Sequence, residues 1–232
     1  MAGKVVVVTG AAKGIGKAIA DAFLDRGDKV FTIDKLTHSG FVGDVGNRED
    51  LERFVKEIMA QCDKIDYLIN NAKPDMIGID ECSYGEFMDA LAVGVAAPFY
   101  LTKLLAPYFA EGASVVNISS SRDRMSQPQT ESYAAAKGGI NALTHALAIS
   151  FAGKARVNSV SPGWINTENN MYTGPDAKQQ PVGRVGVPQD IVNVVLFLCS
   201  EKSEFIDGEN ICVDGGMTRQ MIYHGEYGWQ VE

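Results

Sequence analysis

Four consecutive valines, Val5 to Val8, run directly into Thr9-Gly10-Ala11-Ala12-Lys13-Gly14-Ile15-Gly16, and this junction narrows the possible folds more than any other stretch. A β-branched run with no polar alternation leaves no face for water, the pattern of a strand covered on both sides, as in parallel sheets. Glycines in the turn let backbone approach a phosphate and let the next helix, expected over residues 17–26, pack close to the strand. The helix N-terminus adds unpaired N–H groups and the positive end of its dipole. A strand before and a helix after favour a pyrophosphate cradle over a plain tight turn. The next strand, expected over residues 30–33, finishes on Asp34. A carboxylate there accepts from both ribose hydroxyls of an adenosine and repels a 2′-phosphate, so NAD is expected in preference to NADP. Lys13 and Lys35 are the residues that keep NADP open, since either ammonium could sit near a 2′-phosphate.

The segment from Asp34 to Phe41-Val42 is too short for a normal crossover helix. Asp44-Val45 follows, then an amphipathic helix over residues 49–60 with Leu51, Phe54, Val55, Ile58 and Met59 on one side. A strand over 67–69 ends in Asn70-Asn71-Ala72, and one long apolar helix is expected over 84–105. Next come a strand over 114–118 leading to Ser119-Ser120-Ser121, a small-residue helix over 133–151 and a strand over 156–160. Ser161-Pro162-Gly163-Trp164-Ile165-Asn166-Thr167 follows, then a helix over 191–199 and a strand over 210–213 before Asp214-Gly215-Gly216. This regular alternation predicts an α/β fold, a doubly wound parallel sheet. With no linker or repeat in 232 residues, residues 1–216 are read as a single domain and 217–232 as a C-terminal tail.

Tyr133-Ala-Ala-Ala-Lys137 puts a phenol and an ammonium on one helix face. A tyrosine, with a reference pKa of about 10, becomes a useful acid or base near neutrality when a cation favours the phenolate. Ser120 stands at the carboxyl end of a strand, where open α/β sheets hold ligands. A formal net charge of −8 argues against a nucleic-acid or anionic-membrane footprint. The four cysteines lack paired spacing and read as reduced, buried thiols of a cytoplasmic protein, with no signal peptide before the first strand. The three histidines share no ligand spacing, so no metal is expected.

Taken in order, Thr9-Gly10-x-x-x-Gly14-Ile15-Gly16, Asp44-Val45, Asn70-Asn71-Ala72, Ser120, Tyr133-x-x-x-Lys137, Pro162-Gly163-x-Ile165-x-Thr167 and Val213-Asp214-Gly215-Gly216 resemble the short-chain dehydrogenase/reductase family over nearly the whole chain up to Gly216. The resemblance implies a Rossmann-type, three-layer α/β/α fold, its sheet usually of seven parallel strands, with a nicotinamide cofactor across their carboxyl ends. It implies hydride transfer between NAD(H) and a secondary alcohol or ketone. Tyr133 would be general acid and base, Ser120 would hydrogen-bond the substrate oxygen, and Lys137 would bind the nicotinamide ribose and lower the Tyr133 pKa. Asp44 and Val45 would flank the adenine, the backbone at Asn71 and Ala72 the adenosine ribose, and Ile165 and Thr167, in the turn with Pro162 and Gly163, the nicotinamide amide. It also implies a homotetramer packed through the helices that begin near Tyr84 and Tyr133.

Two residues depart from that pattern. Gly94 stands where the family usually has an Asn that holds a water for the proton relay, which leaves open a vacated, water-filled space, slow turnover, or a NAD(H)-binding sensor with little activity. Lys73 stands where the family's Asn-Asn-Ala motif normally continues with Gly, and its side chain could meet phosphate or substrate. Between Thr167 and Arg184 a short polar lid suggests a small or protruding substrate. The tail aromatics Tyr223, Tyr227 and Trp229, with His224, are expected to dock on a neighbouring subunit.

Overall fold

In the first strand, β1 (Val5–Thr9), Val5 and Val7 enter one apolar cluster while Val6 and Val8 enter another. Successive side chains of a strand point to opposite faces, so a strand with no polar position has to be covered on both. The computed structural model describes residues 3–226 and 228, and every sheet strand in it is parallel to its neighbours. After β1 come β2 (Lys29–Asp34), β3 (Phe41–Val42), β4 (Ile65–Asn70), β5 (Phe109–Ile118), β6 (Ala155–Pro162) and β7 (Asn210–Val213). Their order across the seven-stranded sheet is β3-β2-β1-β4-β5-β6-β7. Chain order reverses about β1, and the crevice opens where β1 and β4 end side by side.

Helices α1 (Gly14–Asp25) and α7 (Pro188–Leu198) cover one face, with Ile19, Phe23, Ile191 and Val195 in its core. The other face carries α2 (Arg48–Met59), α4 (Ala97–Leu105) and α5 (Glu131–Ser150), with Leu51, Phe54, Leu101 and Leu147 turned inward. The single apolar helix expected over 84–105 is instead α3 (Tyr84–Leu91), a π-helical turn at Ala92–Ala96, and α4. Pro98 has no N–H with which to continue an α ladder, and the chain enters α4 by a wider bond, Ala97 N–H donating to Ala92 O. Tyr84–Tyr108 is long and apolar enough, by length and composition, to cross a membrane; in the fold it packs on the sheet and on α5. A four-residue helix, α6 (Pro175–Lys178), lies in the segment before Arg184.

The crevice is held open by a small knot of hydrogen bonds. Thr9 Oγ1 accepts from the N–H groups of Asn71 at 2.9 Å and Ala72 at 3.0 Å. Asn71 Nδ2 donates to Thr9 O at 3.0 Å and Gly10 O at 2.9 Å. Gly16 slots against this knot: a Cβ there would lie 2.2 Å from Gly10 O and 2.3 Å from Asn71 Nδ2. Below it, Asn70 Nδ2 donates to Asn117 Oδ1 and Asn117 Nδ2 to Thr144 Oγ1, tying β4 to β5 and β5 to α5 through fully buried amides. Gly16→Ala is therefore expected to destabilise the fold by about 1–3 kcal/mol through overpacking. Urea unfolding measures this, and an unchanged midpoint would mean that the turn yields freely.

Candidate active site

Tyr133 and Lys137 project from the first two turns of α5 toward the carboxyl end of β5, and Lys137 is buried, 3% exposed. Its Nζ donates to Ile118 O at 2.7 Å and lies 5.5 Å from the centre of the Tyr133 ring. Ser119 Oγ donates to Lys137 O at 2.9 Å, so α5 and β5 are pinned together on both sides of the lysine. Ser120 is buried, its Oγ accepting from Arg122 N–H at 3.2 Å. Ser120, Tyr133 and Lys137 are thus brought together as the spacing predicted.

Their electrostatics differ from expectation. Burial pushes the Tyr133 phenol above its ordinary range, and the Ser120 hydroxyl and the Arg122 guanidinium draw it only partly back. Burial also pulls Lys137 down to about 7, helped by repulsion from Lys73. An ammonium stripped of water and titrating near 7 is only half charged at neutral pH, so Lys137 does not lower the Tyr133 pKa in the chain alone.

The cofactor cradle is built from the same end of the sheet. Asn47 caps α2 and a Ser83–Glu86 capping box closes α3, but the N-terminus of α1 has no side-chain cap at Lys13 and no acidic residue in its first turn. Its N–H groups fit an anion. Gly10 and Gly14 both have positive φ, and a Cβ on Gly14 would meet Thr167 Cγ2 at 3.4 Å, which places Thr167 across the mouth of the glycine turn. Asp34 Oδ2 accepts from Ala12 N–H and Oδ1 from Leu36 N–H, both at 2.9 Å, leaving lone pairs for a ribose. Lys13 and Lys35 are both exposed. Asp44 is exposed and braced by Gly46 N–H and Asp50, while Val45 turns its side chain into the core. The Asn71 side chain is consumed by Thr9 and Gly10, so only its backbone and that of Ala72 face the crevice. Gly163 N–H donates to Val213 O at 3.0 Å, and Ile165 bridges to Gly186; the Pro162–Thr167 turn is braced by β7 and the end of the lid.

Gly94, for which a vacated space was one of three alternatives, is closely packed in the direction of a side chain. Gly94 sits in the middle of the π turn, where a Cβ would lie 2.7 Å from Ala136 Cβ and 3.3 Å from Pro74 Cγ. The turn approaches α5 so closely here that a side chain would collide with Ala136. The thiols also depart from expectation. Cys199 is buried and pushed up to about 12, but Cys62, after the end of α2, and Cys212, on edge strand β7, are partly exposed, as is Cys82. Tyr223 is exposed; Tyr227 and Trp229 lie outside the described residues.

Arg122 and Asp123 went unmarked in the sequence, because the turn after Ser120 has no periodicity to read. Asp123 Oδ2 accepts from Asn210 Nδ2 at 2.7 Å and from Asn141, and Oδ1 from Arg124 at 2.8 Å. It gathers β7, α5 and the Ser120 turn around one buried carboxylate. Adjacency to Ser120 was the only available signal.

A protein-family model described as Enoyl-(Acyl carrier protein) reductase matches residues 10–218. An uncharacterized oxidoreductase of Thermotoga maritima is 37% identical over 95% of this chain and 98% of its own. An apo SCOR enzyme from Clostridium thermocellum superposes with a TM-score of 0.93 at 42% identity, over 100% of this chain and 99% of that one. A 4-hydroxyisoleucine dehydrogenase complexed with NADH superposes with a TM-score of 0.86 at 30% identity, over 94% of this chain and 100% of that one.

Two outcomes follow from the packing and the charge. Gly94→Asn should lower the thermal midpoint, at a cost of about 1–3 kcal/mol, and Ala136→Gly in the same chain should recover part of the loss. Lys137 titrates at about 7 when folded against 10.5 ordinarily, so between those values the unfolded chain binds more protons. Stability of the chain without ligand should rise as pH climbs through that window and fall as pH drops toward 7; Lys137→Met should flatten the slope in urea titrations.

Proposed function

Because the chain belongs to the short-chain dehydrogenase/reductase family, we propose that it interconverts a secondary alcohol and a ketone with NAD(H). The observation that carries this reading is the convergence of Ser120, Tyr133 and Lys137, in a chain whose glycine turn leads into an uncapped helix N-terminus. In reduction, the Tyr133 hydroxyl gives its proton to the substrate oxygen while the Ser120 hydroxyl holds that oxygen. In oxidation the phenolate takes the proton back. Lys137, anchored on Ile118 O, has its remaining N–H donors for the ribose hydroxyls. When bound, NAD(H) would supply the two-electron donor or acceptor. The α1 N-terminus, the Asn71–Ala72 backbone, Asp44 and the Pro162–Thr167 turn hold the rest of the dinucleotide.

Asp34 supports NAD over NADP, since a 2′-phosphate beside its carboxylate would bring two negative groups together. Gly94, the feature that suggested a sensor, is accounted for structurally by its close packing on Ala136. The same reading extends to a cytoplasmic homotetramer that binds neither nucleic acid nor membrane. Exposed Tyr84, Met88, Phe99 and Ile149 on the α3–α4 and α5 helices support subunit packing, and free thiols with net charge −8 suit an acidic cytoplasmic protein.

Alcohol oxidation should climb with pH, following the raised Tyr133 phenol, and Tyr133→Phe should remove that limb with at least about a hundredfold loss of rate. Retained turnover in Tyr133→Phe would remove Tyr133 from the mechanism. NADH should bind more tightly than NADPH, with Asp34→Ser narrowing the ratio; equal dissociation constants in the parent chain would overturn the NAD assignment.

A further inference from the structure

Two cations stand at the mouth of this site without a counter-charge. Lys73 Nζ lies 5.9 Å from the centre of the Tyr133 ring, the ring that Lys137 Nζ approaches to 5.5 Å. Lys73 is exposed and makes no hydrogen bond or ion pair among the described residues. Arg122, in the turn after Ser120, bears electrostatically on the same phenol, and its side chain's one partner among the described residues is the neutral Gln127 amide. Some of the chain's other cations are ion-paired: Lys4 with Asp66 at 3.0 Å, Arg124 with Asp123 at 2.8 Å, Arg184 with Asp190 at 2.7 Å.

Carboxylates are in excess, 29 against 21 basic residues, so the lack of one here is a matter of placement and not of supply. Several of those on the surrounding elements are engaged with other partners. Asp123 is held by Arg124, Asn141 and Asn210; Glu131 accepts from Ile79 N–H, and Asp80 from Gln129. No carboxylate is among the groups that bear on Tyr133 or Lys137.

Uncompensated like charges beside one ring are unfavourable, and an anion that enters with the substrate relieves them. We infer that the substrate carries a carboxylate close to the reacting carbon, a hydroxy acid or its oxo acid, and that Lys73, with Arg122, is the specificity-determining cation that receives it. The inference rests on the oxidoreductase reading above. Lysine offers a mobile point charge suited to a rim position, and arginine a planar fork that matches carboxylate geometry. The phosphate cradle at α1 is a separate set of donors, so Lys73 is assigned to substrate and not to the dinucleotide.

The test uses the full chain and three matched pairs of ligands, pyruvate, acetoacetate and levulinate, each against its neutral amide. With NADH, at least one pair should show kcat/KM for the acid about tenfold or more above the amide. Lys73→Met should bring that ratio toward one and Lys73→Arg should restore it, while NADH affinity, followed by its fluorescence, stays within about twofold. A ratio near one for all three pairs in the parent chain overturns the proposal, as does an unchanged ratio in Lys73→Met. A large loss of NADH affinity in Lys73→Met reassigns the lysine to the cofactor and overturns it as well. A second arm does not need turnover: calorimetric titration of the same acids and amides into the NAD⁺ complex, where ketones cannot react. Tighter binding of an acid that Lys73→Met removes supports the acid site, and equal binding overturns it. A chain that reduces none of the ketones fails the oxidoreductase reading, and the calorimetric arm still decides for or against the acid site.

Discussion

The site depends on the join between the carboxyl ends of β1 and β4. Parallel neighbours share no turn, so nothing in the chain's connectivity fixes how their ends meet. Thr9 and Asn71 do so with four hydrogen bonds between them and the adjoining backbone, and the absence of a side chain at Gly16 lets the helix close over the knot. A buried amide that satisfies two carbonyls is costly to leave half-paired. The knot therefore forms as a whole, and it aims the glycine turn and the Asn71–Ala72 backbone into the same crevice.

Catalytic geometry hangs from a second join, between β5 and α5. Ser119 Oγ donates to the Lys137 carbonyl, and Ile118 O accepts from the Lys137 ammonium. Because both partners follow directly on Val116 and Asn117 in the sheet, the lysine's position is set by strand register and not by a loop. The cost is desolvation, seen in a lysine pulled down to about 7. Tyr133, one turn earlier and less enclosed, is pushed in the opposite sense by the same burial, since burial always favours the neutral form. The pair is thus prepared for a charge that arrives from outside the chain.

Much of this was legible in the sequence because it rests on short-range rules. Period-two burial in the valine run, glycines at the strand end, and the four-residue step from Tyr133 to Lys137 translate directly into faces and turns. The boundaries of β4, β5 and β6 moved by a few residues because strand ends are set by pairing with neighbours, not by their own composition. What could not be read depended on distance between segments. Gly94 looked like a missing side chain, but its meaning lay in Ala136, 42 positions away, and in a π turn that apolar periodicity does not signal. The direction of the Tyr133 shift in the chain alone could not be read for the same reason: spacing gives proximity, whereas the charge state of Lys137 depends on burial from all sides. Asp123, which binds three elements around the serine turn, had no local pattern at all.

The trimmed connection after Asp34 leaves β3 with two residues, Phe41–Val42, at one border of the sheet. A border strand offers unpaired amides and carbonyls to any other extended chain, and its danger grows with its length. Two residues flanked by Gly40 and Gly43 give an incoming strand almost nothing to register against. The economy that shortens this leg of the fold thus also blunts edge-to-edge aggregation, so crowding at high concentration should meet its limit elsewhere on the molecule.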